Sequence, residues 1–175
     1  MIDSVCDRAR KAHLLDWGFF LEGLKFSYIS RRQIADYALE QLEGIDDAVD
    51  IFFSVVELAS ADQLSSEECV RELVKICSAM GIDLSRSRRV VRYFSLEELL
   101  DSLQGSEVYD LLALSEFWGQ WGREADCPYF PQGVDNNISP VDYYSGGNLE
   151  KVMERHRDWM AKEFLDLKKH GGCRS

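Results

Sequence analysis

Ser30-Arg31-Arg32-Gln33-Ile34-Ala35-Asp36-Tyr37-Ala38-Leu39-Glu40-Gln41-Leu42-Glu43-Gly44 is the stretch whose reading decides the fold class. Ser30 stands where a helix N-cap belongs. Gln33, three residues on, completes a capping box, in which each side chain accepts from the other residue's backbone N–H. Ile34, Tyr37, Ala38 and Leu42 then recur at helical spacing, and Gly44 suits a stop. The signature repeats. Ser65 with Glu68 precedes Cys69, Val70, Leu73, Val74, Ile76 and Cys77, up to Gly81. Ser95 with Glu98 precedes Leu96, Leu99, Leu100 and Leu103, up to Gly105.

Working outward, residues 3–26 read as one or two helices, and residues 46–59 as another with a core face of Val49, Phe52, Phe53, Val56 and Ala59. Val108, Leu111, Leu112, Leu114, Phe117 and Trp118 make the next helix apolar on most sides, which predicts a central position. Asn148 is placed to cap a last helix over 149–170, ending at Gly171-Gly172, with Val152, Met153, Trp159, Met160, Phe164 and Leu167 on its inner face. Residues 122–147 hold all three prolines and the Asn136-Asn137 pair, the composition of a long loop. Val90, Val91, Tyr93 and Phe94 would tolerate a strand, though a lone short strand has no evident mate. The expected fold is therefore all-α: a single compact domain over 1–175 of six to eight helices, one long Pro/Gly/aromatic loop, and at most a short strand pair near 88–94.

Composition agrees with a packed domain, since 46% of the 175 residues are hydrophobic. No run approaches the roughly 20 apolar residues of a membrane span, and the start lacks the apolar core of a secretory signal. Five cysteines without paired spacing predict reduced thiols and a cytoplasmic protein. Cys69 and Cys77, about 12 Å apart along one helix axis, are too distant to bridge.

The net charge of −11 is unevenly spread. Residues 34–72 hold eleven acids and one base, Arg71, a balance of −10. Phosphates would be repelled there, which argues against a direct nucleic-acid partner. A basic protein surface fits instead. Asp36, Glu40, Glu43, Asp47 and Asp50 are spaced four, three, four and three, so an uninterrupted helix would align them in one stripe. Like charges at i,i+4 cost stability, so ordinary folding gives no reason to gather them. A solvated outer face is the plain alternative to a docking stripe. Arg86, Arg88, Arg89 and Arg92 form the main basic cluster, which a solvated face or an intramolecular acidic match explains without a ligand.

Catalytic patterns are weak. Asp46-Asp47-Ala48-Val49-Asp50 matches the DDxxD of magnesium–diphosphate enzymes, but acids at a helix N-terminus explain it more simply. His13, His156 and His170 are preceded at i−3 by Arg10, Met153 and Leu167, so the Glu-x-x-His of di-metal bundles is absent. No CxxC, HExxH, GxSxG or phosphate loop occurs. No cofactor or metal is expected. In the loop, Tyr129, Phe130, Tyr143 and Tyr144 offer two readings. Exposed tyrosines anchor interfaces, Tyr143 and Tyr144 being the candidates; packed ones pin a lid onto the helices.

Three stretches bear a family likeness: Leu15-Asp16-Trp17-Gly18-Phe19-Phe20-Leu21-Glu22-Gly23-Leu24, Ile29 to Ala38, and the terminal helix with Glu154, Arg155, Trp159 and Phe164. Over most of its length the chain resembles an uncharacterised bacterial family of unknown function whose members occur near polymorphic toxin loci. The resemblance implies a small helical protein, an immunity factor, without cofactor or catalytic residues to transfer. The expected function is a non-enzymatic protein that binds a basic partner, such as a toxin domain, through its acidic helices. An adaptor subunit, an acidic nucleic-acid mimic, and an enzyme using His156 and the 122–147 loop are the alternatives.

Overall fold

The computed structural model describes residues 4–46, 49–122, 126–134 and 137–169, and these contain helices and no β-sheet. Nine helices occur among the described residues: α1 (Val5–Lys11), α2 (Trp17–Lys25), α3 (Arg31–Leu42), α4 (Phe52–Leu58), α5 (Ser66–Ala79), α6 (Leu84–Ser102), α7 (Glu107–Trp121), α8 (Pro140–Tyr143) and α9 (Gly146–Lys169). The all-α expectation holds. The four-residue α8 lies inside the stretch expected to be loop. No helix among the described residues is long and apolar enough to cross a membrane.

Two compact units divide the chain, Met1–Phe94 and Ser95–Ser175. In the first, α2 packs on α5, and α4 packs on both α3 and α5. Its core holds Phe19, Phe20, Leu21, Ile34, Val55, Leu58, Leu73 and Ile76, all fully buried. Each such side chain stabilises the fold by about 1.5–3 kcal/mol relative to exposure. In the second unit α9 packs on α7 and α8, around Leu111, Leu114, Trp121, Val152 and Leu167.

Capping sets where the helices start. Ser30 with Gln33 and Ser65 with Glu68 form complete capping boxes, and Ser4 with Asp7 forms one that the sequence reading missed. Asp16 caps α2 by accepting from the Phe19 N–H at 2.7 Å. Each cap is worth about 1 kcal/mol. Gly81, at φ +61°, closes α5 with a Schellman turn in which the Ile82 N–H reaches the Cys77 carbonyl.

Several expectations need correction. Residues 88–94 are helical, because Ser87, Val90, Val91 and Phe94 are buried at helical spacing, and Asp83 accepts from the Ser85 and Arg86 N–H groups at the start of α6. Ser95 is consequently interior to α6 and buried, and does not cap a new helix. The helix expected over 46–59 forms only from Phe52, after a turn in which the Phe52 N–H bonds the Val49 carbonyl. Its buried residues are Val55 and Leu58, whereas Val49, Phe53 and Val56 face solvent. Helix α7 is apolar on most sides as expected but is not central, because Val108, Tyr109 and Leu112 are exposed. Helix α9 begins at Gly146, and Asn148 lies inside it, donating to the Tyr143 carbonyl. The expected stop at Gly171-Gly172 lies outside the described residues.

Candidate functional site

The acidic positions do not form one helical stripe. Helix α3 ends at Leu42 with Glu43 as its C-cap. Asp36 and Glu40 share an exposed face of α3, Asp50 is exposed in the turn before α4, and Asp47 lies outside the described residues. Part of this charge is already matched within the molecule. Arg32 pairs with Asp36 at 3.1 Å, one turn away, and Arg10 of α1 pairs with Glu40 at 2.6 Å. Solvent screens both pairs, so each is worth well under about 1 kcal/mol.

Apolar side chains that belong to no core accompany these acids. Phe53 is 76% exposed, Val49 44% and Val56 41%. Phe52 and Phe53 touch edge-on at 5.6 Å, yet only Phe52 turns partly inward. Beside this face opens a cavity of about 420 Å³, whose lining includes Trp17, Glu40, Gln41, Ile45, Val49 and Met80. Its size falls within the range of ligand pockets. Trp17 is held edge-on by Tyr37 at 4.8 Å, and Tyr37 stacks on Phe20 at 4.4 Å. Burial, reinforced by the nearby Asp16 charge, pushes the Tyr37 hydroxyl up to about 12.

Asp16, next to Trp17 in the chain, is held in a polar clamp. The Ser87 hydroxyl lies 3.0 Å from the Asp16 carboxylate and donates to it, and Arg86 approaches to 3.9 Å. Burial raises the Asp16 pKa despite those contacts and the Phe19 N–H. Burial, with the Asp16 charge nearby, also lifts the Cys77 thiol to about 11, so it is an inert packing residue. Cys6, Cys69, Cys77 and Cys127 are free thiols. On α5, Glu72 is buried and receives Lys75, Ser54 and Arg71. Burial raises its pKa, and those hydrogen bonds together outweigh that effect and lower it.

The tyrosine pair of the loop separates. Tyr143 is 2% exposed and is not an external anchor. Its hydroxyl donates to the Tyr129 hydroxyl at 2.6 Å, with the Phe130 carbonyl at 3.0 Å sharing the proton, while Tyr129 donates to the Leu111 carbonyl of α7 at 2.9 Å. Burial, then the bond to Tyr129, raises the Tyr143 pKa. Tyr144 is half-buried and meets Tyr143 edge-on at 5.0 Å. These rings pin the loop to α7, which corrects the interface reading of Tyr143. Arg155 of α9 lies over the Phe130 ring.

His156 is fully buried between α7 and α9. Trp118 Nε1 donates to its Nε2 at 2.9 Å, so Nδ1 carries the proton and donates to the Val152 carbonyl at 2.7 Å. Burial, with Arg155 adding repulsion, lowers its pKa to about 4 against the backbone bond that raises it. With both nitrogens engaged and no solvent contact, His156 acts as a packing residue. Trp159 donates to Asp126 at 3.0 Å and meets Trp118 edge-on. Among the described residues no group of three or more His, Cys, Asp or Glu is placed to hold a metal ion.

Residues 6–164 match a family described as "Uncharacterized protein conserved in bacteria (DUF2247)". The chain belongs to that family. Its match to DUF2247 runs from within α1 to within α9. Neither the curated proteins nor the solved structures give a match.

Proposed function

We propose that this DUF2247 protein is a non-enzymatic binding protein of the immunity type, which neutralises a basic toxin domain by covering it with the face formed by α3, the following turn and α4. The observation that carries this reading is the exposure of Phe53, Val49 and Val56 within the segment that holds a charge balance of −10. Large apolar side chains are left in water here, on a helix with too few buried positions to need them. An apolar centre with a charged surround is how protein interfaces are built. In this account Glu43 and Asp50 attract the partner over long range, raising the association rate. Phe53 then supplies the buried anchor that sets the lifetime of the complex. Asp36 and Glu40 contribute after exchanging Arg32 and Arg10 for partner cations. Tyr144 belongs to the second unit and is not assigned a role in this reading.

Co-expression with the product of a neighbouring gene tests the toxin role. The expected result is that a toxic, basic neighbour is tolerated with the wild-type protein and lethal with a Phe53→Glu variant that remains folded. Equal protection by both proteins would remove the face from the mechanism. Failure to bind any neighbouring product would remove the immunity role.

A further inference from the structure

The cavity beside α3 has features that a merely imperfect core would not require. One wall is apolar, from Ile45, Val49 and Met80, while Glu40 brings a carboxylate to the same space. The buried Trp17 also lines it. Arg10 already shows what that carboxylate accepts, since its Nη1 sits 2.6 Å from Glu40 Oε2. Both side chains are about half exposed, at 46% and 48%, so water screens the pair and holds it weakly.

We propose that this cavity receives a lysine or arginine side chain of the partner, its alkyl stem among Ile45, Val49 and Met80 and its cationic head replacing Arg10 on Glu40. The assignment deepens the binding role proposed above and rests on it for the partner's basic character. Charge complementarity selects the occupant: residues 34–72 carry eleven acids against one base, so a cation is drawn to this side and an anion is repelled. The apolar wall favours a cation on a flexible stem over a bare ion, because lysine and arginine stems cover apolar surface while their heads stay polar.

The test uses the full-length, nitrogen-15-labelled protein titrated with n-hexylammonium, 1-hexanol and hexanoate. Trp17 is the only tryptophan before residue 95, so its indole N–H reports on the cavity while Trp118, Trp121 and Trp159 serve as internal references. Hexylammonium is expected to shift Trp17 saturably, with a Kd about fivefold or more below that of hexanol, and hexanoate weakest. Glu40→Gln should raise the hexylammonium Kd to the hexanol value, and Arg10→Gln, which frees the carboxylate, should lower it. Both positions are exposed, so both variants retain the fold. An unmoved Trp17 signal, equal affinity for amine and alcohol, or indifference to both substitutions overturns the assignment. No partner is present in this titration, so its failure leaves the partner-binding role standing. Loss of the partner in a binding assay would in turn leave the titration result intact.

Discussion

His156 is held between Trp118 and the Val152 carbonyl, and its neutral form is the one the site accepts. Its folded pKa of about 4 lies below the ordinary 6.5. Between those values the unfolded chain takes up a proton that the folded chain refuses. The stabilisation is therefore complete above about pH 6.5 and is lost as pH falls toward 4, a change of about 3 kcal/mol. His156→Gln keeps an acceptor for Trp118 and removes the titration. Urea unfolding at pH 7 and pH 4.5 should show a smaller acid loss in the variant than in the wild type, and parallel losses would contradict the assignment. Tyr143 is likewise structural. Tyr143→Phe should cost about 1 kcal/mol through the lost hydroxyl bonds, and Tyr143→Ala about 3–5 kcal/mol through the lost ring. Denaturant titration checks both, and near-wild-type stability of the alanine variant would return Tyr143 to the surface.

At the scale of elements, the close approach of α2 to the start of α6 depends on Gly18. A Cβ there would fall on the Ser87 hydroxyl and within 2.9 Å of the Ser87 Cβ. Ser87 cannot easily turn away, because it is bonded to Asp16. Gly18→Ala is therefore expected to destabilise by about 1–3 kcal/mol in thermal or urea unfolding. Helix α4 gives the opposite case. Phe53→Ala should alter stability by less than about 0.5 kcal/mol because the ring is already in water, and weaken partner binding by about 2 kcal/mol or more. A stability loss as large as that of a core residue would place the ring in the core. These elements also show what the sequence made legible. Ser30/Gln33 and Ser65/Glu68 marked real helix starts because the cap chemistry is local. The equally good Ser95/Glu98 pattern misled, because burial of Ser87, Val90, Val91 and Phe94 along one face keeps α6 continuous through it. In the sequence around α4, Val49, Phe53 and Val56 are at helical spacing and so are Val55 and Leu58. Spacing identifies a face without saying which face meets the core, and contacts with α3 and α5 decide it. The acids of the proposed site were readable from composition, but their partners Arg10 and Arg32 and the cavity wall of Trp17 and Met80 emerge only when distant segments meet.

For the molecule as a whole, the decisive property is the placement of charge. Of a net −11, residues 34–72 contribute −10, and the exposed apolar side chains of α4 fall within the same segment. A partner drawn by that field binds through exposed charges, so its association should weaken as salt shortens the screening length from about 10 Å at 0.1 M to about 3 Å at 1 M. The most direct measurement is the affinity for a partner purified from the native host, compared between the wild type and a variant with Asp36, Glu40, Glu43, Asp47 and Asp50 converted to their amides. The proposed function predicts a partner with a basic contact surface, bound at least about tenfold more weakly by the variant, with a shallower salt dependence in the variant and unchanged unfolding stability. An equal affinity for both proteins, or a partner whose contact surface is not basic, would contradict it.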